Sequence, residues 1–288
     1  MRVLVRVLRR APLVSYFALA YAASGVALAV LGLPRIDGDG DRALISLAMF
    51  PVIVIAAAIA GLVMTAATDG AAGLRRLHAR MTRWRLGRWW LVLLIPPLGI
   101  LAVLTFLRAF VSPSFSPQFL AFGLGIGLVA GFFEEIGWTG FAYPRLQTLF
   151  GGVGGALVLG ILWAFWHLPV VDSLGAASPH GAAWPAFFAS FALLIVAMRV
   201  LIAWLYANTG SVLGAQLMHA SSTGFLVVLS PPAVSPGQEA LWYLVYAALV
   251  WVVVGVVVAR CGVSLTGARR GVLDRTGEPE TTDAVATV

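Results

Sequence analysis

Long apolar stretches alternate along this chain with short basic or Pro/Gly-rich segments. An α-helix of about 20 residues crosses the roughly 30 Å hydrocarbon core of a bilayer, and most of these stretches reach that length. They cover residues 13–33, 43–67, 89–110, 118–142, 152–170, 184–206, 212–230 and 240–260. The pattern predicts an all-α fold, a polytopic transmembrane helical bundle of about eight spans. We expect one domain over residues 1–262 and a disordered cytoplasmic tail over residues 263–288.

The charge content agrees with a membrane protein. Only 11% of the residues are charged and 60% are hydrophobic, whereas a soluble domain carries about 25% charged residues. The net charge of +7 comes from arginines that lie between the apolar stretches, where orientation signals and lipid phosphates account for them. We therefore expect membrane lipids and no nucleic acid among the partners. The single cysteine, Cys261, excludes an intrachain disulfide and any metal site built from several cysteines.

The positions of the arginines predict the orientation. They concentrate in the N-terminal segment, in residues 75–88 after the second span, at Arg145 after the fourth, and in residues 260–275 after the eighth. With eight spans, all these segments fall on one side of the membrane. The positive-inside rule then predicts that both termini are cytoplasmic, in an integral protein of a bacterial plasma membrane.

Two adjacent carboxylates, Glu134 and Glu135, lie inside the fourth span. A charged side chain at the centre of a membrane helix costs about 2.5–3.5 kcal/mol on insertion scales, so such residues usually face a cavity or a partner. Neighbouring side chains on a helix point about 100° apart. We therefore expect the two glutamates to have different partners, either around a catalytic cavity or in a buried pair that only holds helices together.

Two histidines also lie within predicted spans, His167 in the fifth and His219 in the seventh. One glutamate with two histidines is the ligand set of some catalytic zinc sites, in which a fourth position holds water. The same groups could act without metal, with glutamate as the general base and histidines as donors to an oxyanion. The helical zinc motif His-Glu-x-x-His is absent from the sequence, so both hydrolytic routes stay open.

Three ordered segments resemble the motifs of a known family. They are EEIGWTGF at residues 134–141 with Pro144 and Arg145 following, WAFWHLP at residues 163–169, and NTGS at residues 208–211 leading to His219. Their order and spacing resemble those of the CPBP family, which contains the CAAX proteases and bacteriocin-processing enzymes and is also called the Abi family. The resemblance covers about residues 115–223.

This resemblance implies an intramembrane endopeptidase that acts on a peptide or protein substrate at the membrane. In such a protein Glu134 would activate water, His167 and His219 would complete the catalytic site, and Glu135 would support it. If the site holds Zn²⁺, a requirement disputed within the family, the ligands would be Glu134, His167 and His219. Eukaryotic members of the family cleave prenylated CAAX proteins.

The chain departs from the family pattern at two positions. Thr139 stands where the family has an arginine four residues after the second glutamate, and Thr223 stands where it often has asparagine. Arg145 is the nearest substitute in sequence for the missing arginine, but ten residues of unbroken helix span about 15 Å. Thr139, Arg145 and Thr223 are therefore candidate supporting residues.

These departures keep two other functions open. One is a non-catalytic homologue that acts as an immunity or scaffold factor. The other is a proton-coupled transporter, because intramembrane glutamate and histidine residues also form proton relays. The absence of a visible internal repeat or of paired broken helices argues against a transporter.

Overall fold

The computed structural model describes residues 8–27, 39–168 and 180–266. Within these ranges the chain forms eight α-helices and no β-strand. The helices are α1 (Pro12–Ala27), α2 (Asp39–Met81), α3 (Ile95–Phe110), α4 (Phe122–Gly137), α5 (Tyr143–Trp166), α6 (Trp184–Thr209), α7 (Val212–Val228) and α8 (Pro236–Cys261). The prediction of an all-α polytopic bundle is confirmed.

Several helices are long and apolar enough to cross a membrane. Five such segments are found in the described part of the chain: Phe50–Met81, Gly87–Phe110, Phe122–Trp166, Gly181–Thr209 and Pro236–Cys261. The helices Pro12–Val26 and Val212–Val228 are apolar but shorter. The protein is therefore an integral membrane protein, with α1 and α7 packed among the longer spans.

The predicted fourth and fifth spans form one nearly continuous helical run. A π-helical turn, Trp138–Ala142, joins α4 to α5, and Pro144 lies directly after it in the first turn of α5. The chain changes direction at Gly151, where φ is 73° and ψ is −179°. A break near Gly140 or Pro144 would have been needed to bring Arg145 back towards Glu135, and the helix does not break there.

Glycines bring α4 and α7 into backbone contact. Gly123, Gly127 and Gly131 are spaced four residues apart on α4, so they share one face of the helix. A Cβ atom at Gly127 would lie 2.3 Å from the carbonyl oxygen of Ala220, and one at Gly131 would lie 2.3 Å from that of Gln216. Small residues at this spacing are typical of close packing between membrane helices. One turn beyond Gly131, the same approach brings Glu135 next to His219.

Helix α1 covers the outside of the π-helical turn. Tyr16 and Phe17 contact the indole of Trp138 with ring centroids 5.5 Å and 6.1 Å apart. Both Tyr16 and Trp138 are fully buried. The N-terminal span therefore fixes the side chain of Trp138, which contacts one of the two glutamates.

The end of the membrane domain at residue 262 stays a prediction, and the structure describes a short turn directly after it. Residues 262–265 form a turn, and Leu265 within it is fully buried. The carbonyl oxygen of Leu265 accepts a 2.7 Å hydrogen bond from the side-chain amide of Asn208, near the end of α6. An apolar side chain and a paired carbonyl thus hold this turn against the bundle. Residues 267–288, the rest of the predicted disordered tail, lie outside the described residues.

Candidate active site

Glu135 is held by an arginine from another helix. The two terminal nitrogens of Arg199 on α6 donate to the two carboxylate oxygens, Nη2 to Oε1 at 2.8 Å and Nη1 to Oε2 at 2.9 Å. The exposed fractions of the two side chains are 1% for Arg199 and 0% for Glu135. A two-point contact of this kind is the strongest geometry between guanidinium and carboxylate groups. Arg199 therefore provides the positive partner of Glu135 that an arginine at the position of Thr139 would otherwise have provided.

Thr139 and His219 complete the surroundings of Glu135. The Thr139 hydroxyl, one turn along the same helix, donates to Oε2 of Glu135. His219 Nδ1 lies 2.8 Å from Oε1, and because an ionised carboxylate can only accept, Nδ1 carries the proton. Four donated hydrogen bonds therefore converge on Glu135, and in a neutral His219 ring Nε2 is left as the unprotonated nitrogen.

Glu134 has a different environment, as expected for a neighbouring helical position. Its Oε2 accepts hydrogen bonds from two indole N–H groups, Trp138 at 3.0 Å and Trp163 at 2.8 Å. Within the described residues, no hydrogen bond reaches its Oε1 and no cation pairs with it. The side chain is 2% exposed. Neutral donors orient a carboxylate without neutralising its charge, so Glu134 keeps one oxygen free to accept a proton.

A cavity of about 200 Å³ lies beside Glu134. Its polar lining comprises Glu134, His167, Ser222 and Thr223. The rest of its wall is largely apolar and comes from α2, α5, α6, α7 and α8, with residues Phe50, Ile53, Val54, Trp163, Trp166, Phe191, Leu194, Ile195, Met198, Leu226, Val227 and Tyr243. A largely apolar cavity with a few polar groups in its wall is the usual form of a small binding site.

His167 lies on the wall of this cavity at the end of α5. Its Nδ1 is 2.8 Å from the carbonyl oxygen of Trp163. A carbonyl can only accept, so Nδ1 carries the proton and Nε2 is unprotonated in the neutral ring. The ring packs between Trp166 and Phe191 at centroid distances of 4.9 Å and 5.4 Å. His167 is therefore oriented with one nitrogen able to bind a water molecule or a substrate donor.

Trp163 contacts both Glu134 and His167. Its indole N–H donates to Glu134, and its carbonyl accepts from His167. Its ring lies 4.2 Å from the guanidinium carbon of Arg199 and 4.9 Å from the centroid of the His219 ring. A single indole thus touches both the cavity side and the buried ion pair.

The structure separates the predicted site residues into two neighbouring sets. Glu134, His167 and Thr223 line the cavity, whereas Glu135, Thr139 and His219 form the buried network behind it. In the described part of the chain, no three His, Cys, Asp or Glu side chains are grouped so that they could hold a metal ion. The proposed zinc ligands therefore do not form a ready ligand set in this arrangement.

Arg145 lies in neither set. Its Nη2 pairs with Asp69 at 2.9 Å and contacts the Thr68 hydroxyl at 3.1 Å, and its guanidinium covers the ring of Phe141. Arg145 thus ties α5 to α2 near the helix ends. The arginine that pairs with Glu135 is Arg199.

Sequence reasoning missed three of the residues that form this site. Arg199 lies in the middle of an apolar span, so the energetic argument that singled out the two glutamates applies to it equally. Trp138 and Trp163 were treated only as parts of motifs. Their roles follow from hydrogen bonds to a glutamate, four residues away on the same helix for Trp138 and on a different helix for Trp163.

Comparison with known proteins identifies the same core. Residues 116–225 match the family "Type II CAAX prenyl endopeptidase Rce1-like". That range contains every member of both sets around the glutamates. The core of this chain is similar to that family over these residues. The predicted resemblance to the CAAX-protease family is thus confirmed over these residues.

One curated relative of the Rce1-like core is the CAAX prenyl protease 2 of Methanococcus maripaludis. It is 29% identical over 130 residues, which amount to 44% of this chain and 45% of the relative. The matched segment therefore spans less than half of the relative's length.

Proposed function

We propose that this protein is an intramembrane endopeptidase of the CAAX-protease type in which Glu134 activates the attacking water. The observation that carries the proposal is the environment of Glu134. Two indoles hold one of its oxygens, no cation pairs with it among the described residues, and its side chain lines a cavity within the bundle. A carboxylate in this state is oriented and still basic, which is what a general base requires.

The reaction that follows uses groups on the cavity wall. Oε1 of Glu134 takes a proton from water as the water oxygen bonds to the scissile carbonyl carbon. The resulting tetrahedral oxyanion needs a hydrogen-bond donor. The hydroxyls of Ser222 and Thr223 on the cavity wall are candidates, and His219 could donate through Nε2 only with both ring nitrogens protonated, because Nδ1 is engaged by Glu135. The carbon–nitrogen bond then breaks, and Glu134 returns the proton to the departing amine. His167, with Nδ1 engaged by a backbone carbonyl, can position the water through Nε2.

The substrate class of this proposal comes from the names of the similar proteins. A peptide that ends in a prenylated CAAX sequence would place an apolar group in the membrane and its scissile bond near the polar groups of the cavity wall. The apolar wall of the cavity fits an aliphatic part of such a substrate. Zn²⁺ stays a further hypothesis, and the water-activation step above does not go through it, because among the described residues no side chains are grouped as a ligand set.

The direct test is cleavage of a farnesylated CAAX peptide by the purified protein in liposomes. Glu134→Gln keeps the size of the side chain and removes the base, so we expect turnover to fall by about 100-fold or more, since a general base contributes about 10²–10⁴-fold. Glu239→Gln is a matched control, since Glu239 on α8 pairs with His180 and is not among the residues that line the cavity. Equal, nonzero turnover in the parent and in Glu134→Gln would refute the role of Glu134 as the base. No turnover by the parent would favour a non-catalytic scaffold.

The orientation belongs to the same proposal. If all eight helices cross the membrane in turn, the arginine-rich segments lie on one side, and the positive-inside rule predicts that both termini are cytoplasmic. A reporter that is active only in the cytoplasm, fused after the last residue, should be active. Activity of a periplasmic reporter at the same position would reverse the orientation.

A further inference from the structure

We infer that Arg199 is a positioning residue of the catalytic site: through Glu135 it fixes the ring of His219, and it does so from a different helix than the one that carries the glutamates. The inference rests on the proposed function for its catalytic meaning. Its structural basis is independent of turnover, because it concerns which side chain holds which.

The contacts form a chain from α6 to α7. Arg199 donates to both oxygens of Glu135, and Oε1 of Glu135 in turn accepts the Nδ1 proton of His219. A carboxylate that accepts from one ring nitrogen fixes both the tautomer and the ring orientation of a histidine. Removing Arg199 would leave Glu135 buried without its cation, and the hydrogen bond to His219 would lose its fixed acceptor.

The packing around Arg199 leaves this side chain one arrangement. Its exposed fraction is 1%, and its guanidinium carbon lies 4.2 Å from the Trp163 ring. Gly160 on α5 lets α6 approach, since a Cβ atom there would lie 2.9 Å from Cα of Val196 and 3.3 Å from Cβ of Arg199. The close approach of α5 and α6 therefore places the guanidinium where it meets Glu135.

A purely structural role is a poor explanation of this ion pair. Burying two charges costs solvation that their attraction often fails to recover, and apolar pairs of similar size commonly replace such bridges without loss of stability. The Nε atom of Arg199 adds to this cost, because it is buried without a hydrogen-bond partner among the described residues. The need to position the His219 ring explains why the charged pair of Arg199 and Glu135, and not an apolar pair, lies here.

The position of Thr139 suggests a sharp test. Thr139 lies one helical turn from Glu135, its hydroxyl donates to Glu135, and it lies 3.5 Å from Nη1 of Arg199. An arginine side chain starting at position 139 would therefore reach the same carboxylate if the Arg199 side chain were shortened. The double variant Thr139→Arg/Arg199→Leu moves the cation from α6 to the helix of Glu135.

Four proteins are compared in liposomes with the farnesylated CAAX peptide: the parent, Arg199→Leu, Thr139→Arg/Arg199→Leu and Glu135→Leu/Arg199→Leu. We expect Arg199→Leu to lower kcat by about 100-fold, the effect of misplacing a catalytic group by about 1 Å. The relocated cation should restore at least a tenth of the parent rate. The last variant replaces the whole ion pair by apolar groups, so it should fold and still be inactive, because His219 has lost its acceptor.

Turnover by the Glu135→Leu/Arg199→Leu variant at the parent rate would overturn the inference, since the pair would then only hold helices together. If Arg199→Leu does not fold, the two double variants still test whether the ion pair positions His219. A second measurement separates this inference from the proposed function. In protein labelled with ¹⁵N-histidine, the His219 Nδ1–H signal should be present in the parent and lost in Glu135→Leu/Arg199→Leu, and it should return when the cation is relocated.

This signal does not need turnover. If the parent fails to cleave the peptide and the His219 signal still follows the cation, the proposed function fails and the positioning role stands. If the His219 signal is the same in all four proteins, the positioning role fails whatever the peptide shows.

Discussion

The indole N–H of Trp163 donates a 2.8 Å hydrogen bond to Oε2 of Glu134, from one helix to another. A second indole, that of Trp138, donates to the same oxygen. The pair holds one carboxylate oxygen and leaves the other without a partner among the described residues. The two glutamates thus differ in charge balance: Glu135 is paired with a cation, and Glu134 has only neutral donors.

Trp163→Phe should slow cleavage while leaving the fold intact. Phenylalanine keeps an aromatic ring over Arg199 and removes the N–H that orients Glu134. A hydrogen bond to a charged group contributes about 1.5–3 kcal/mol, so we expect kcat to fall by roughly 10–100-fold. Trp242→Phe is the matched control, because the Trp242 N–H is buried without a partner in the described part of the chain. If the two variants have equal rates in the liposome assay, the indole does not orient the base.

Arg145→Gln should have little effect on cleavage. Arg145 pairs with Asp69, and the exposed fractions of the two side chains are 25% and 33%. Partly exposed ion pairs contribute about 0–1 kcal/mol because solvent screens them. We expect a small decrease in melting temperature in detergent and a turnover within about twofold of the parent. A loss comparable to that of Arg199→Leu would mean that Arg145 acts on the site after all.

Much of this architecture could be predicted from the sequence. The eight apolar stretches correspond one by one to the eight described helices, because span length is set by bilayer thickness. The three motifs located the helices that surround the cavity. The two glutamates were expected to have different partners, which follows from the angle between neighbouring side chains on a helix.

The partner of Glu135 could not be predicted from spacing along one helix. A search for a cation four residues from Glu135 found Thr139, and the next arginine along the chain, Arg145, contacts Asp69 instead. Arg199 is 64 residues away in sequence and reaches Glu135 only because α6 packs closely on α5 at Gly160. Contacts of that kind depend on tertiary packing, which periodicity does not encode. The sequence offered one signal of this contact, which is that Arg199 is a lone arginine within an apolar span.

Chelation should leave cleavage unchanged. No three His, Cys, Asp or Glu side chains in the described residues are grouped as a metal site, and His219 already uses Nδ1 on Glu135. We expect the protein purified without added metal to contain far less than one Zn²⁺ per chain and to keep its rate after dialysis against a chelator. Loss of turnover on dialysis, with recovery on stoichiometric Zn²⁺ and not on Mg²⁺, would instead require Glu134, His167 and His219 to close around the ion.

Gly127→Ala should destabilise the bundle and slow cleavage together. A Cβ atom at Gly127 would lie 2.3 Å from the carbonyl oxygen of Ala220 and 2.6 Å from Cα of Gly224, so α4 and α7 would have to separate. Forcing extra atoms into a packed interface costs about 1–3 kcal/mol. The separation would also move Glu135 on α4 away from His219 on α7, which is why activity should fall with stability.

Gly125→Ala provides the control on the same helix, because a Cβ atom there meets nothing within 4 Å. Alanine is a better helix former than glycine by about 1 kcal/mol, so this variant should be as stable as the parent or slightly more stable, with unchanged turnover. Thermal unfolding in detergent and the liposome assay measure both quantities. Equal stability of the two variants would show that the α4–α7 contact tolerates a methyl group. The spacing of Gly123, Gly127 and Gly131 would then not be what keeps Glu135 within hydrogen-bonding distance of His219.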